Sequence, residues 1–152
     1  MSRLEARVPP VIWWALSAFV VLVVDVAVGG QAGTFGRGLG GLFLLAGIGV
    51  SLAALSQFGK AQTTSDPHNI SNASTLVTEG VYRLTRNPMY LGLLSLAIGW
   101  GLWRGTILGS ILGGLTFVAC VTGFQIIPEE RVLEENFGDE YVEYKARTRR
   151  WL

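Results

Sequence analysis

The chain has 152 residues, half of them hydrophobic, with only 15% charged residues and a formal net charge of +1; soluble domains usually carry ~25% charged residues, so this balance suits lipid rather than water. So small a net charge excludes a broad phosphate-binding surface, and no nucleic-acid partner is expected. A single cysteine, Cys120, excludes an intrachain disulfide, and a single histidine, His68, leaves the usual Cys and His metal sets without members, so no metal is expected.

Taken in chain order, Val11 to Gly30 and Leu39 to Gly59 are apolar runs long enough, at ~1.5 Å per residue, to cross a ~30 Å hydrocarbon core. The first exceeds the roughly 7–15 apolar residues of a cleavable signal peptide and is read as a span. Asp25 is its one charge. An intramembrane carboxylate is a functional candidate, yet Asp25 lies about a turn from the end of the run and within reach of interfacial water, so a structural role is equally open. A loop over 60–88 follows, rich in Ser, Thr, Asn and Asp as far as Leu76. Met89 to Trp103 is a shorter apolar run, Arg104-Gly105 a tight turn, and Thr106 to Ile127 a fourth run. Gly105, Gly109 and Gly113 repeat at four-residue spacing, a face suited to close helix packing or to a homodimer seam. The tail, 128–152, places Leu133, Phe137, Tyr141 and Tyr144 at near-helical spacing around Gly138, which predicts one or two amphipathic helices against the membrane face.

With four crossings and both termini inside, Arg3, Arg7, Lys60, Arg83, Arg86, Arg131, Lys145, Arg147, Arg149 and Arg150 fall on the cytoplasmic side, against Arg37 and Arg104 outside. Ten basic residues against two is the positive-inside pattern. The expected fold class is therefore all-α: one polytopic membrane domain over 1–152, four transmembrane helices and a cytoplasmic amphipathic helical tail. Under this topology the sequons at Asn69 and Asn72 face the wrong compartment for glycosylation.

Polar chemistry concentrates at the mouth of the third run. Pro88 drives Asn87 out of helical geometry and opens the next helix, so its free N–H groups and positive dipole end point to the cytoplasm. Arg86, Asn87 and Tyr90 add side-chain donors there, an arrangement that suits an anionic group. On physics alone Arg86 and Tyr82 also suit simple headgroup anchoring, and Glu129 and Glu130 after Pro128 suit the first turn of a helix without any ligand.

Taken together, Leu76-Val77-Thr78-x-Gly80-x-Tyr82, Arg86-Asn87-Pro88-x-Tyr90-x-Gly92, Glu129-Glu130-x-x-Leu133 and Phe137-Gly138-x-Glu140-Tyr141-x-x-Tyr144 resemble the isoprenylcysteine carboxyl methyltransferase family, in its small bacterial and archaeal branch related to phospholipid methyltransferases. The resemblance covers residues 74–152. It implies methyl transfer from S-adenosylmethionine in the plasma membrane of a prokaryote, with the cofactor in a cytoplasm-facing pocket. By resemblance Ser74, Thr75, Leu76, Val77 and Tyr82 line the cofactor, Asn87, Pro88, Met89 and Tyr90 contact it at the helix mouth, and Glu129, with Glu130 beside it, hydrogen-bonds to it. Glu129, Arg86 and Asn87 are the candidate catalytic residues, and Gln125 the candidate substrate-binding residue. Two positions depart from the eukaryotic members, which carry His at Asn87 and a carboxylate-binding Arg at Gln125. An amide keeps hydrogen bonding at the first but cannot form a charge-assisted clamp at the second.

Methyl transfer is an in-line displacement that needs alignment and exclusion of water more than a catalytic triad. A membrane-embedded mouth favours a lipid-like or hydrophobic acceptor, whose carboxylate, amine or hydroxyl character the sequence leaves open. Two rival readings stand beside this one: a nicotinamide-dependent enzyme like the sterol reductases, which share the Arg-x-Pro-x-Tyr region, and a non-catalytic membrane scaffold assembled through the glycine face.

Overall fold

The computed structural model describes residues 8–61 and 75–152, and all regular structure among them is helical. Helix α1 spans Pro10–Val28. Pro10 sits in its first turn, where a missing N–H leaves no partner wanting. Gly29 (φ 65°) ends the helix by donating its N–H to the Asp25 carbonyl at 2.9 Å. Helix α2 spans Thr34–Ala61, beginning five residues before the predicted Leu39. A 3-10 turn at Gly80–Arg83 leads to α3, Pro88–Arg104, which ends at Gly105 (φ 87°). Helix α4 spans Ile107–Val121, capped by Thr106, whose Oγ1 accepts from the Gly109 N–H at 3.0 Å.

The fourth run does not stop at Ile127. A π-turn at Thr122–Ile126 carries α4 directly into α5, Ile127–Phe137, so the helix is continuous over Ile107–Phe137. The physical reason is Pro128. A proline lacks the N–H for the bond to residue 124 and its ring crowds that carbonyl; the wide turn containing Phe124 relaxes the four-residue register and lets the helix pass. Helix α6, Asp139–Arg147, follows the sharp bend at Gly138 (φ 51°).

Three helices, Pro10–Val28, Thr34–Gly59 and Ile107–Phe137, are long and apolar enough to cross a membrane. Their outer faces expose Phe19, Val26, Phe35, Leu45, Ile107 and Leu115, the surface of an integral membrane protein whose solvent is lipid. The α3 helix packs against α2 on one face and contacts both α4 and α1, while α1 lies along α4. Backbones meet closely at the α2–α3 seam. A Cβ on Gly40 would stand 2.6 Å from the Trp103 nitrogen, and one on Gly47 2.7 Å from the Gly92 carbonyl. Ser95 Oγ donates to the Phe43 carbonyl at 2.8 Å across the same seam. Without a hydrophobic driving force between helices in lipid, such small-residue contact and interhelical hydrogen bonding supply the adhesion.

The Gly105, Gly109 and Gly113 face is used within the chain. Gly105 abuts Ala32, Gly109 approaches the Val21 carbonyl, and the Gly113 carbonyl accepts from Ser17 Oγ at 2.7 Å. It is a packing face for α1 and the α1–α2 connection, and a second copy would have to displace α1 to use it. Asp25, 5% exposed, pairs with Arg104 at the end of α3, accepting from Nε at 2.9 Å and also from Nη2. That pair ties α1 to α3. Cys120 is free and partly buried in α4, and no group of three metal-ligating side chains occurs among the described residues.

Candidate functional site

A cavity of about 410 Å³ opens between the start of α3, the segment before it, and α5. It gathers residues far apart in sequence. Thr75, Leu76, Val77 and Tyr82 come from the connecting segment, Arg86, Asn87, Met89 and Tyr90 from the mouth of α3, and Glu129 and Glu130 from α5. Pro88 is fully buried in the first turn of α3 and is not part of the wall. Gln125 is 0% exposed and also lies off the wall, on the π-turn. Ser74, His68 and the two sequons lie outside the described residues.

Local sequence explains each placement. Asn87 holds φ −128° and ψ 53°, the non-helical geometry that a following proline imposes. Its backbone N–H is satisfied by Thr85 Oγ1 at 3.2 Å, and its carbonyl accepts from the Leu91 N–H at 2.9 Å. Tyr82 rides on the 3-10 turn, which Gly80 (φ 61°) opens; a Cβ at Gly80 would stand 2.7 Å from the Gln57 amide. The Tyr82 ring meets Phe58 of α2 edge-on at 5.6 Å, and its carbonyl accepts from the Tyr144 hydroxyl at 2.7 Å. The tail is thereby pinned to the segment that precedes α3. Burial pushes the Tyr82, Tyr141 and Tyr144 phenols well above their ordinary value, so each is a neutral hydroxyl at physiological pH.

Charge divides sharply between two neighbouring carboxylates. Glu130, 9% exposed, holds two cations: Arg86 Nη2 donates to Oε1 at 2.9 Å, while Arg150 donates through Nε at 3.0 Å and Nη2 at 2.7 Å. Arg86 is thus turned toward α5 and the tail, with Nη1 3.4 Å from the Lys145 carbonyl, rather than standing free at the helix mouth for an anion. Glu129 has no ion-pair partner among the described residues and accepts a 2.5 Å hydrogen bond from the Tyr90 hydroxyl. A short bond of this kind to a carboxylate fixes both groups. Behind them the Gln125 amide comes near Tyr90 and Glu129, but neither its nitrogen nor its oxygen makes a hydrogen bond of normal geometry.

The wall also contains residues that the sequence left unmarked. Pro10 begins α1, and Ser51, Leu55 and Phe58 come from the end of α2; Leu93 and Ile126 complete an apolar lining. Leu133, Tyr141 and Tyr144, quoted above only as motif positions, line it as well. Just outside, residues 149–151 cross the mouth of α3: the Arg149 carbonyl accepts from the Arg86 N–H at 2.9 Å, and the Arg150 carbonyl from Asn87 Nδ2 at 3.0 Å. Apolar residues of an apolar helix carry no distinguishing pattern, and backbone carbonyls carry none at all.

Comparison with known proteins agrees with the motifs. A protein of Haemophilus influenzae with no described function is 48% identical over 64 residues, covering 42% of this chain and all of its own. Protein-S-isoprenylcysteine O-methyltransferase A of Arabidopsis thaliana is 33% identical over 106 residues, 68% of this chain and 52% of its own length. The human protein-S-isoprenylcysteine O-methyltransferase is 35% identical over 80 residues, 51% of this chain and 27% of its own. The chain thus spans about half or less of these two named relatives. No solved structure matches. The family model for phospholipid methyltransferases matches residues 35–140, which include α2, the α3 mouth, Glu129 and Glu130, and the chain belongs to that family.

Proposed function

We propose that the protein is an S-adenosylmethionine-dependent membrane methyltransferase that takes its cofactor in the 410 Å³ cavity and methylates a lipid-like or hydrophobic small molecule. The observation that carries this reading is the division of charge on the cavity wall. Arg86 and Arg150 are both spent on Glu130, and Glu129 has no ion-pair partner among the described residues. A carboxylate so placed favours a positively charged ligand, and the cofactor carries both a sulfonium and an ammonium. The volume lies within the ~300–1,000 Å³ usual for small-molecule sites.

When bound, S-adenosylmethionine supplies a methyl group on a positively charged sulfur. Glu129, held by Tyr90, would accept hydrogen bonds from the cofactor and balance its charge. Leu76, Val77, Leu93 and Ile126 keep that region poor in water, so electrostatic contacts there are stronger than in solvent. Leu55 and Phe58 belong to a helix whose outer face meets lipid, and Pro10 begins another; this side of the cavity suits an apolar acceptor. Its reacting group, carboxylate, amine or hydroxyl, is unassigned in this reading. A four-crossing topology completes it, with α3 as the short third crossing and the cavity and tail on the cytoplasmic side, supported by the ten-to-two distribution of basic residues.

The test is titration of purified protein with S-adenosylhomocysteine, with a reduced nicotinamide cofactor in parallel, followed by thermal stability. Saturable stabilisation by the first alone is expected. Absence of any shift with S-adenosylhomocysteine would defeat the proposal.

A further inference from the structure

We propose that residues 148–152 brace the cofactor site from outside its wall and that Arg150 is its positioning residue, an inference that rests on the cofactor reading above. After α6 the backbone turns extended at Thr148 (φ −129°, ψ 129°) and crosses the residues that lead into α3. Those residues precede the first helical turn, and their N–H groups have no acceptors within the helix. The crossing segment supplies them: the Arg149 carbonyl takes the Arg86 N–H at 2.9 Å, and the Arg150 carbonyl takes Thr85 Oγ1 at 3.1 Å and Asn87 Nδ2 at 3.0 Å. The Arg150 side chain reaches the other way and grips both oxygens of Glu130 on α5. Trp151 then packs on the core of Tyr90, Phe117, Val121 and Ile126. One short segment therefore joins the mouth of α3 to α5.

Three of the side chains it organises, Arg86, Asn87 and Glu130, line the cavity, whereas Arg150 does not. The segment decides which polar atoms remain for a ligand. One N–H of the Asn87 amide is committed to the Arg150 carbonyl, so the side chain has its second N–H and its acceptor oxygen left to offer. The Glu130 charge is balanced on two sides, which removes it from competition with Glu129 for a cationic ligand. Without the Arg150 guanidinium, Glu130 keeps a single partner, Arg86, and the neck at Thr85–Asn87 loses the anchored carbonyl that orients it. Arg150 thus acts on the ligand through Asn87 and Glu130. A guanidinium suits this role because its planar fork engages both carboxylate oxygens at once.

The experiment compares the wild type with Arg150→Ala and Arg150→Lys, each as the full chain in detergent micelles, using S-adenosylhomocysteine titration by calorimetry. Hydrogen exchange of peptides covering 84–91 and 145–152 is read in the same samples. We expect Arg150→Ala to weaken binding about 10- to 100-fold, the scale of a site displaced by a remote change, and Arg150→Lys to restore part of the loss. In the wild type the ligand should slow exchange in both peptides, and in Arg150→Ala in neither. If Arg150→Ala exchanges faster in both peptides yet binds as tightly as wild type, the segment is only structural and the inference is overturned. Should Arg150→Ala fail to fold, Thr85→Val removes the bond to the Arg150 carbonyl together with the one from the Asn87 N–H and leaves every ion pair; an affinity loss of about threefold or more with faster exchange at 145–152 supports the inference, and unchanged affinity, or a loss without faster exchange at 145–152, overturns it. A wild type that binds no S-adenosylhomocysteine overturns the cofactor reading and this inference together, whereas a binding wild type with an equally binding Arg150→Ala overturns this inference alone.

Discussion

The two ends of α3 each bring an arginine to a buried carboxylate, and they do opposite things with it. At Arg104 one carboxylate, Asp25, meets one arginine, and the surrounding backbone is closed by Gly30 and Gly105. At Arg86 one carboxylate, Glu130, meets two arginines, and the adjacent Glu129 meets none among the described residues. The first arrangement cancels its charge and leaves α1 and α3 tied. The second over-satisfies one acid and leaves its neighbour for something else. Burial of a charge is therefore a poor guide to function by itself; what separates the anchor from the site is whether every nearby charge already has a partner.

That comparison can be broken by mutation, and the largest effect is expected at the anchor. Arg104→Ala leaves Asp25 buried without a cation, and unfolding measurements should register a loss of about 3–5 kcal/mol. Asp25→Ala should cost less, about 1–2 kcal/mol, because Arg104 is 41% exposed and can turn to water. Equal losses from the two variants would contradict the anchor. Next comes Glu129→Ala, which should weaken S-adenosylhomocysteine binding about 100-fold, or about 2.7 kcal/mol, with little change in stability. The smallest effect belongs to Tyr90→Phe, which deletes a hydroxyl bonded to a carboxylate; about tenfold weaker binding is expected from calorimetry. A Tyr90→Phe variant that binds as well as wild type would show that Glu129 needs no orienting partner.

Much of this site is legible in sequence because polar residues are conspicuous at the end of an apolar run. Arg86, Asn87, Tyr90 and Glu129-Glu130 stand out for that reason, Thr75, Leu76, Val77 and Tyr82 only through the family resemblance, and the cavity brings the two groups together. Ser51, Leu55 and Phe58 do not stand out. In a membrane helix the lipid face and the packed face are both apolar, so periodicity no longer says which residues look inward. Arg149 and Arg150 escape notice for a different cause: they contribute main-chain carbonyls, and their basic side chains read only as topology signals. Proline after a long apolar stretch reads as a new helix start, and α5 does open there, but the π-turn at Thr122–Ile126 joins it to α4 without a break. Asp25 was visible as an isolated acid, but its partner Arg104 lies 79 residues away and only the fold unites them.

The central claim is that Glu129 is kept free of cations so that it can receive a positively charged cofactor. Calorimetric titration of wild type and Glu129→Gln with S-adenosylhomocysteine and with S-adenosylmethionine tests it directly, because the two ligands differ by the sulfonium charge. Glutamine keeps the hydrogen-bonding shape and removes the negative charge. The account predicts that Glu129→Gln weakens both ligands through the lost ammonium contact, and S-adenosylmethionine by the larger factor; equal affinity of wild type and Glu129→Gln for S-adenosylmethionine would contradict it.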